Sequence, residues 1–250
     1  MAHFPDPSLL GHCVIHRLIR HTYRHKGLYY YGMDAILHVQ VRTPYEAESA
    51  EAGGADRLVL VGSDPRLSPE IDLVPKVRKA TSLDLRLQLR TQLEYTTSGA
   101  EITRLKGLAS SFLSAGCDGF VFGFLNALSG IDQPACQELI GDDIWNWTFD
   151  RAIDATLDQT SAWEDIHFLP RLDSVMTAGS ARQVEHGLDR LITYANRQPT
   201  VIVAGNLKPE HIPWLVRAGL RQFYLDQLPI TTDTVRAWRN LLDEETSRSS

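Results

Sequence analysis

Acidic residues and arginines follow two apolar runs of this 250-residue sequence, in an arrangement suited to acid–base chemistry or anion binding. In the stretch WTFDRAIDAT, Asp150, Arg151 and Asp154 come directly after such a run. Because a carboxylate shielded from water can act as a general base, Asp150 and Asp154 are the candidate catalytic residues. Arg90 follows another apolar run, and Arg90 with Arg151 could clamp a carboxylate or phosphate. The alternative for Arg151 and Asp154 is a purely structural ion pair.

Two glycine-containing turns add a second kind of anion-binding group. The segments TAGS and VAGN place Thr177, Gly179, Gly205 and Asn206 after two later apolar runs. Backbone N–H groups in turns of this kind bind phosphate in many (β/α)₈ barrels. We therefore expect these four residues to contribute to an anion site, with ordinary turn geometry as the alternative.

The elements that must position these residues alternate regularly from Met33 onward. Short apolar runs alternate with amphipathic stretches, which is typical of repeated βα units and a parallel sheet. The predicted strands are Ile36–Val41, Arg57–Val61, Asp84–Leu89, Gly119–Phe122, Ile144–Phe149, Arg171–Met176, Thr200–Val203 and Arg221–Leu225. A helix is predicted after each strand, including Trp163–His167 after the fifth and Ala181–Asn196 after the sixth.

Eight such units favour a single closed (β/α)₈ TIM-type barrel over a doubly wound open sheet. The open sheet would require a glycine-rich turn after its first strand, and VQVRTPYEAE contains no glycine. Three junctions, EAGGADRLVLVG, LSAGCDGFVFG and VRAGLRQFYLD, repeat one helix-to-strand turn with glycine at the helix end. Catalytic groups of such barrels lie at the carboxyl ends of the strands, where the candidate residues are found.

Polar residues within the predicted strands would point into the barrel. His38, Gln40 and Arg86 occupy such positions, and we expect them to line the pocket. For His38 the alternative is an interior side chain held by a hydrogen bond.

Charge and composition limit the partners. The net charge of −6 disfavours binding to nucleic acid or to anionic membranes, so neither is expected as a partner. No run approaches the roughly 18 apolar residues that a membrane-spanning helix requires. The three cysteines, an odd number with no C-x-x-C pair, favour a reducing compartment over a disulfide framework.

Residues 1–32 differ from the rest of the chain. This segment is basic and contains five of the nine histidines, and it lacks the uninterrupted apolar core of a secretory signal. We expect it to be an N-terminal extension that is flexible or dispensable for the fold of the barrel, residues 33–250. Metal binding by its histidines and an organelle-targeting role are the alternatives.

Several segments resemble the CutC family of copper homeostasis proteins, in order along the chain. They are VQVRTPYEAESAEAGGADRLVL, DGFVFGFLNALSGID, TFDRAIDAT, LDSVMTAGS and VIVAGNLKPEHIPWLVRAGLRQFY, and together they extend from about Leu37 to Leu225. The resemblance implies a TIM-type barrel, a role in copper homeostasis with copper ion binding, a cytoplasmic location and assembly into a homo-oligomer. Copper is the only cofactor it implies.

The departures from the family pattern fall in the pocket. Where the family has cysteines in its first two strands, this chain has Gln40 and Val61, and Asp150 replaces the histidine of the T-F-H-R-A-F-D motif. Cu(I) prefers thiolate and thioether donors, then imidazole. The resemblance therefore predicts a CutC-like protein whose diverged pocket lacks the usual copper ligands, and no metal-binding residue is assigned.

Two other functions remain open. The barrel could be an enzyme acting on a small anionic substrate, held by Arg90 and Arg151 with Asp150 or Asp154 moving a proton. It could also be a non-catalytic barrel that binds a ligand. The sequence leaves open whether the protein is an enzyme.

Overall fold

Eight parallel strands form a closed barrel in sequence order, β8 pairing with β1. A computed structural model describes residues 34–249, and the prediction about residues 1–32 lies outside them. The strands are β1 (Ile36–Val41), β2 (Arg57–Leu60), β3 (Asp84–Gln88), β4 (Gly119–Phe122), β5 (Trp147–Phe149), β6 (Leu172–Thr177), β7 (Thr200–Val203) and β8 (Gln222–Leu225). The predicted single (β/α)₈ barrel is confirmed.

Helices connect the strands and cover the outside of the sheet. They are α1 (Pro44–Gly53), α2 (Val74–Ala80), α3 (Gly99–Ser114), α4 (Gln133–Ile140), α5 (Gln159–Ile166), α6 (Leu188–Thr193), α7 (Ile212–Arg217) and α8 (Thr232–Arg248). Short 3-10 helices occur at Ile71–Leu73, Arg151–Ala155, Val184–His186 and Pro209–His211. Side chains of Thr43, Ser98, Asp158 and Thr231 accept backbone N–H groups at helix starts, which fixes where α1, α3, α5 and α8 begin.

Glycine ends the helix at each of the three repeated junctions. Gly54, Gly116 and Gly219 all have φ of +100°, a left-handed conformation that residues with a Cβ rarely adopt. The sequence prediction of a left-handed glycine cap at these turns therefore agrees with the structure.

Successive side chains of each strand point to opposite faces of the sheet, which separates two apolar regions. Leu37, Val39 and Val41 of β1 face outward and belong to the large core between sheet and helices. A smaller cluster inside the barrel contains Val59, Val61, Val121, Met176, Ile202, Ala204 and Tyr224. The interior is therefore packed, and ligands can approach only near its ends.

Two predicted helices have different bounds in the structure. The helix predicted at Trp163–His167 begins instead at Gln159, since the Asp158 side chain accepts the N–H groups of Thr160 and Ser161. The helix predicted at Ala181–Asn196 is divided into the 3-10 turn Val184–His186 and the short α6. Within residues 34–249 no helix is both long and apolar enough to cross a membrane.

Candidate functional site

The carboxyl ends of β3 and β5 bring Arg90 and Asp150 together at the barrel mouth. Arg90 Nη2 donates to Asp150 Oδ2 at 2.8 Å, and the side chains are only 3% and 10% exposed. Gln88 Nε2 donates to the same oxygen at 3.2 Å. Asp150 Oδ1 accepts the backbone N–H of Ala152 at 2.9 Å and so caps the following 3-10 helix. Any substrate of Asp150 would have to compete with these protein donors.

Arg90 is enclosed by protein groups rather than open to a ligand. Its Nη1 donates to the Glu94 carbonyl at 2.9 Å, and its Nη2 also donates to the Gly123 carbonyl. The guanidinium carbon lies 4.8 Å from the ring centre of Tyr95 and 5.5 Å from that of Phe124. An anion clamped by Arg90 would have to replace some of these contacts, so this part of the expected Arg90–Arg151 clamp stays a prediction.

Arg151 and Asp154 form an ion pair, which the sequence suggests as the alternative to their roles in catalysis and anion binding. Arg151 Nε donates to Asp154 Oδ2 at 2.9 Å. The same carboxylate accepts the Thr177 hydroxyl at 2.5 Å and the Ala178 backbone N–H at 2.9 Å. Burial raises the pKa of Asp154, and Arg151 and these donors offset burial only in part. Asp154 therefore joins β5 to β6, and its catalytic role stays a prediction.

Arg151 nevertheless keeps one group available to a ligand. Its side chain is 31% exposed and its Nη2 donates to the Arg182 carbonyl at 2.7 Å. Its Nη1 has no hydrogen-bond partner within the described part of the chain and lies against the backbone of Gly205. Of the two arginines in the predicted clamp, Arg151 is the one that an anion can reach.

The two glycine turns bring backbone close to neighbouring groups. Gly205 has φ of +109°, and a Cβ there would lie 2.6 Å from Arg151 Cζ. The Asn206 N–H donates to Asp226 Oδ2 at 3.1 Å, and the Gly179 N–H donates to the Thr177 hydroxyl at 2.9 Å. These amides already have protein acceptors, which favours turn geometry, and their anion-binding role stays a prediction.

His38 and Arg86 lie away from the mouth, toward the amino ends of the strands. His38 Nε2 is 3.0 Å from Oε1 of Gln222, the first residue of β8. Arg86 Nη1 donates to Asp173 Oδ1 at 2.9 Å and to the Thr148 hydroxyl at 2.7 Å. These two predicted pocket residues belong to a buried polar network at the opposite end of the interior from Asp150.

Burial dominates the electrostatics of that network. Burial, followed by the nearby Arg57 guanidinium, lowers the pKa of His38 to about 3. His38 is therefore neutral at physiological pH, and its Nδ1 has no partner among the described residues. This geometry matches the alternative interpretation of His38, an interior side chain held by a hydrogen bond.

Gln40 lies nearer the carboxyl ends of the strands. It is 5% exposed, and its Oε1 accepts the Tyr224 hydroxyl at 3.4 Å. Its register partner on β2 is Val59, so Val61 lies diagonally across on the same interior face. The two positions where the family carries cysteine are thus neighbours here.

The donor set at these positions does not fit copper. An amide and a valine replace the soft ligands, and residues 34–249 contain no group of three His, Cys, Asp or Glu side chains able to hold a metal. Cys117 and Cys136 are buried outside the barrel interior, and burial raises the pKa of each thiol to about 12. We therefore assign no copper-dependent step to the barrel mouth.

Three further polar residues of the interior are not among the predicted site residues. Asp226 follows β8 and has no ion-pair partner in the described chain. Burial raises its pKa, and the hydrogen bond from the Asn206 N–H offsets only part of this effect. Arg57 and Asp84 begin adjacent strands and pair at 2.7 Å. For Arg57 and Asp84 the available signal was a charged residue at the first position of an otherwise apolar strand, and for Asp226 it was an acidic residue directly after a strand.

The chain matches the model of the CutC family over residues 35–227. A CutC family protein of Xanthomonas campestris pv. campestris is 26% identical over 186 residues, covering 71% of this chain and 77% of the relative. A human protein named copper homeostasis protein cutC homolog is 26% identical over 213 residues, covering 82% and 77%. A solved CutC structure from Streptococcus agalactiae has a TM-score of 0.69 at 14% identity and covers 78% of this chain and 100% of that one. Because the family match includes every strand of the barrel, this chain belongs to the CutC family.

Proposed function

We propose that this protein takes part in copper homeostasis, the role carried in the names of its human and Drosophila melanogaster relatives. The observation that carries the proposal is the family match over residues 35–227, which includes all eight strands of the barrel. Because Gln40 and Val61 stand where the family has cysteines, we propose that this role does not depend on copper held between β1 and β2.

Deletion of the gene in the source organism tests this role. Growth would be measured across a series of copper concentrations, with total cell copper determined at each, and zinc would serve as the control metal. We expect the deletion to change copper tolerance and cell copper, and the wild-type gene to restore both. Unchanged copper tolerance with unchanged cell copper would reject the proposal.

Location and assembly are part of the same proposal. We propose that the protein acts in the cytoplasm and forms a homo-oligomer, as the family resemblance implies. Cell fractionation and light scattering of the purified full-length chain test the two statements. A membrane-bound fraction would contradict the first, and a monomer at micromolar concentration would contradict the second.

A second candidate function is a barrel that binds or transforms a small anion. The observation that favours it is Arg151, which is partly exposed and has an Nη1 group with no partner in residues 34–249. Inorganic phosphate should then raise the melting temperature of the wild type above that in sodium chloride of equal ionic strength. Arg151→Gln should abolish the difference, and an equal response in both proteins would remove Arg151 from an anion site.

A further inference from the structure

We propose that a groove between α5 and α6 binds a small molecule through a phosphate or carboxylate group. This α5–α6 groove has a volume of about 540 Å³ and is lined by Asp158, Gln159, Trp163, Arg190, Tyr194 and Arg197, among others. It lies outside the strands, against the short helix α6, and is also lined by Asp154, Thr156 and Ala181 from the segments that follow β5 and β6. The inference is independent of the role in copper homeostasis.

Arg190 presents unused donors to this groove. Its Nη1 donates to Gln159 Oε1 at 2.7 Å, and the contact of Nη1 with the Gly179 carbonyl is long, at 3.5 Å. Nε and Nη2 have no partner among the described residues, and no carboxylate there pairs with Arg190. An exposed guanidinium with a free Nε–Nη2 edge is suited to bidentate binding of an oxyanion.

Arg197 supplies a second guanidinium held in a defined position. Its central carbon lies 5.2 Å from the ring centre of Trp163 and 5.1 Å from that of Tyr194. Its Nε is buried without a hydrogen-bond partner, and it too forms no ion pair within residues 34–249. The ring contacts restrict the side chain, which lowers the entropy cost of binding a ligand there.

Gln159 is oriented as a donor by its neighbours. Its Oε1 accepts both Arg190 Nη1, at 2.7 Å, and the Tyr194 hydroxyl, at 3.1 Å. The amide nitrogen of Gln159 has no partner in the described chain and remains free to donate.

The carboxylates of the groove already bind protein donors. Asp158 Oδ1 accepts the Thr160 and Ser161 N–H groups, and its Oδ2 accepts the Ser161 hydroxyl at 2.8 Å. Asp154 is held by Arg151, Thr177 and Ala178 on the barrel side. The hydrogen-bonding capacity left in the groove thus comes mainly from two guanidinium groups and an amide nitrogen, which selects an oxyanion over a cation.

Isothermal titration calorimetry of the full-length protein tests the proposal. The probes are inorganic phosphate and malonate, each at constant ionic strength, so that phosphate and carboxylate sources are distinguished. Because hydrogen bonds to charged groups are strong, Arg190→Gln should weaken binding of the preferred anion by roughly tenfold or more. Arg197→Gln gives a second variant, and circular dichroism verifies that each is folded.

Two further variants locate the bound anion. Arg217 is exposed on α7 and does not line the groove, so Arg217→Gln removes the same charge elsewhere and should keep wild-type affinity. Arg151→Gln alters the barrel mouth and reports on the second candidate function. Equal affinity in wild type and Arg190→Gln, a loss confined to Arg151→Gln, or failure of both anions to bind the wild type would each overturn the proposal.

Discussion

Arg90 and Asp150 form a buried ion pair, with Nη2 and Oδ2 separated by 2.8 Å, at the mouth of the barrel. Asp150 occupies the position of a histidine in the family motif, and its charge balances a guanidinium that is only 3% exposed. The substitution therefore converts a position that could offer an imidazole into half of a structural ion pair. This relationship leads to the first prediction.

Asp150→Ala should strongly destabilise the fold. Loss of one partner of a buried ion pair leaves the other charge uncompensated, which typically costs about 3–5 kcal/mol in the free energy of unfolding. Denaturant unfolding at neutral pH measures this free energy. The exposed pair Lys76–Asp72 provides the control, because Asp72→Ala should leave the denaturation midpoint unchanged. A shift for Asp150→Ala as small as that of the control would mean that the pair contributes nothing.

Copper binding at the mouth should be gained by replacing the ligands. Gln40 and Val61 are diagonal neighbours on the same interior face, so Gln40→Cys with Val61→Cys should add about one equivalent of Cu(I) in competition with a chelator. The matched control is Gln40→Ser with Val61→Ser, which changes the same positions without adding thiols. Since the chain has three native cysteines, only the difference between the two double variants is informative. Identical copper uptake by both would show that the diverged pocket is not explained by these two residues.

Acid should destabilise the protein through His38. Its pKa is lowered to about 3 by burial and then by Arg57, whereas an unfolded histidine titrates near its ordinary value of 6.5. Between these two values the unfolded state binds more protons, so the free energy of unfolding rises with pH up to about 6.5 and falls toward pH 3. The full effect of this one residue is on the order of 5 kcal/mol.

Comparison with His38→Gln isolates this contribution. Urea unfolding of both proteins at several values between pH 4 and pH 7.5 gives the free energy of unfolding as a function of pH. Below pH 6.5 this free energy should fall less steeply for the variant, by ~1.4 kcal/mol per pH unit. Above pH 7 the two curves should run parallel, because neutral histidine and glutamine then carry the same charge. Parallel curves over the whole range would exclude His38 as the source.

Gly205→Ala should cost more than an equivalent change at Gly219. Both residues have positive φ, +109° and +100°, so each alanine carries about 1–2 kcal/mol of backbone strain. Only at Gly205 would the new Cβ also lie 2.6 Å from Arg151 Cζ, whereas at Gly219 its nearest neighbour is 3.6 Å away. Thermal unfolding should give the lower melting temperature for Gly205→Ala, and equal values would show that Arg151 moves aside without cost.

The sequence is enough to locate much of the site, but it does not predict which side chains hydrogen-bond to each other there. The sequence places Arg90 after the third strand and Asp150, Arg151 and Asp154 after the fifth, and in the closed barrel all of them lie at the carboxyl ends. Arg90 pairs with Asp150 and Arg151 pairs with Asp154, whereas the anion clamp expected of the two arginines stays a prediction. Each arginine has a carboxylate within reach, and which carboxylate it pairs with depends on distances across the barrel.

The amino-acid sequence by itself determined the barrel and the family, because apolar alternation, helix caps and left-handed glycines are local properties repeated along the chain. Gly54, Gly116 and Gly219 illustrate this, since each turn needs only its own few residues. Tertiary structure alone decided which polar side chains lie near one another. His38 and Arg86 lie at the amino end of the interior, and Arg190 and Arg197 both line a groove between two helices. These outcomes depend on strand register and helix packing, which bring together residues far apart in the sequence.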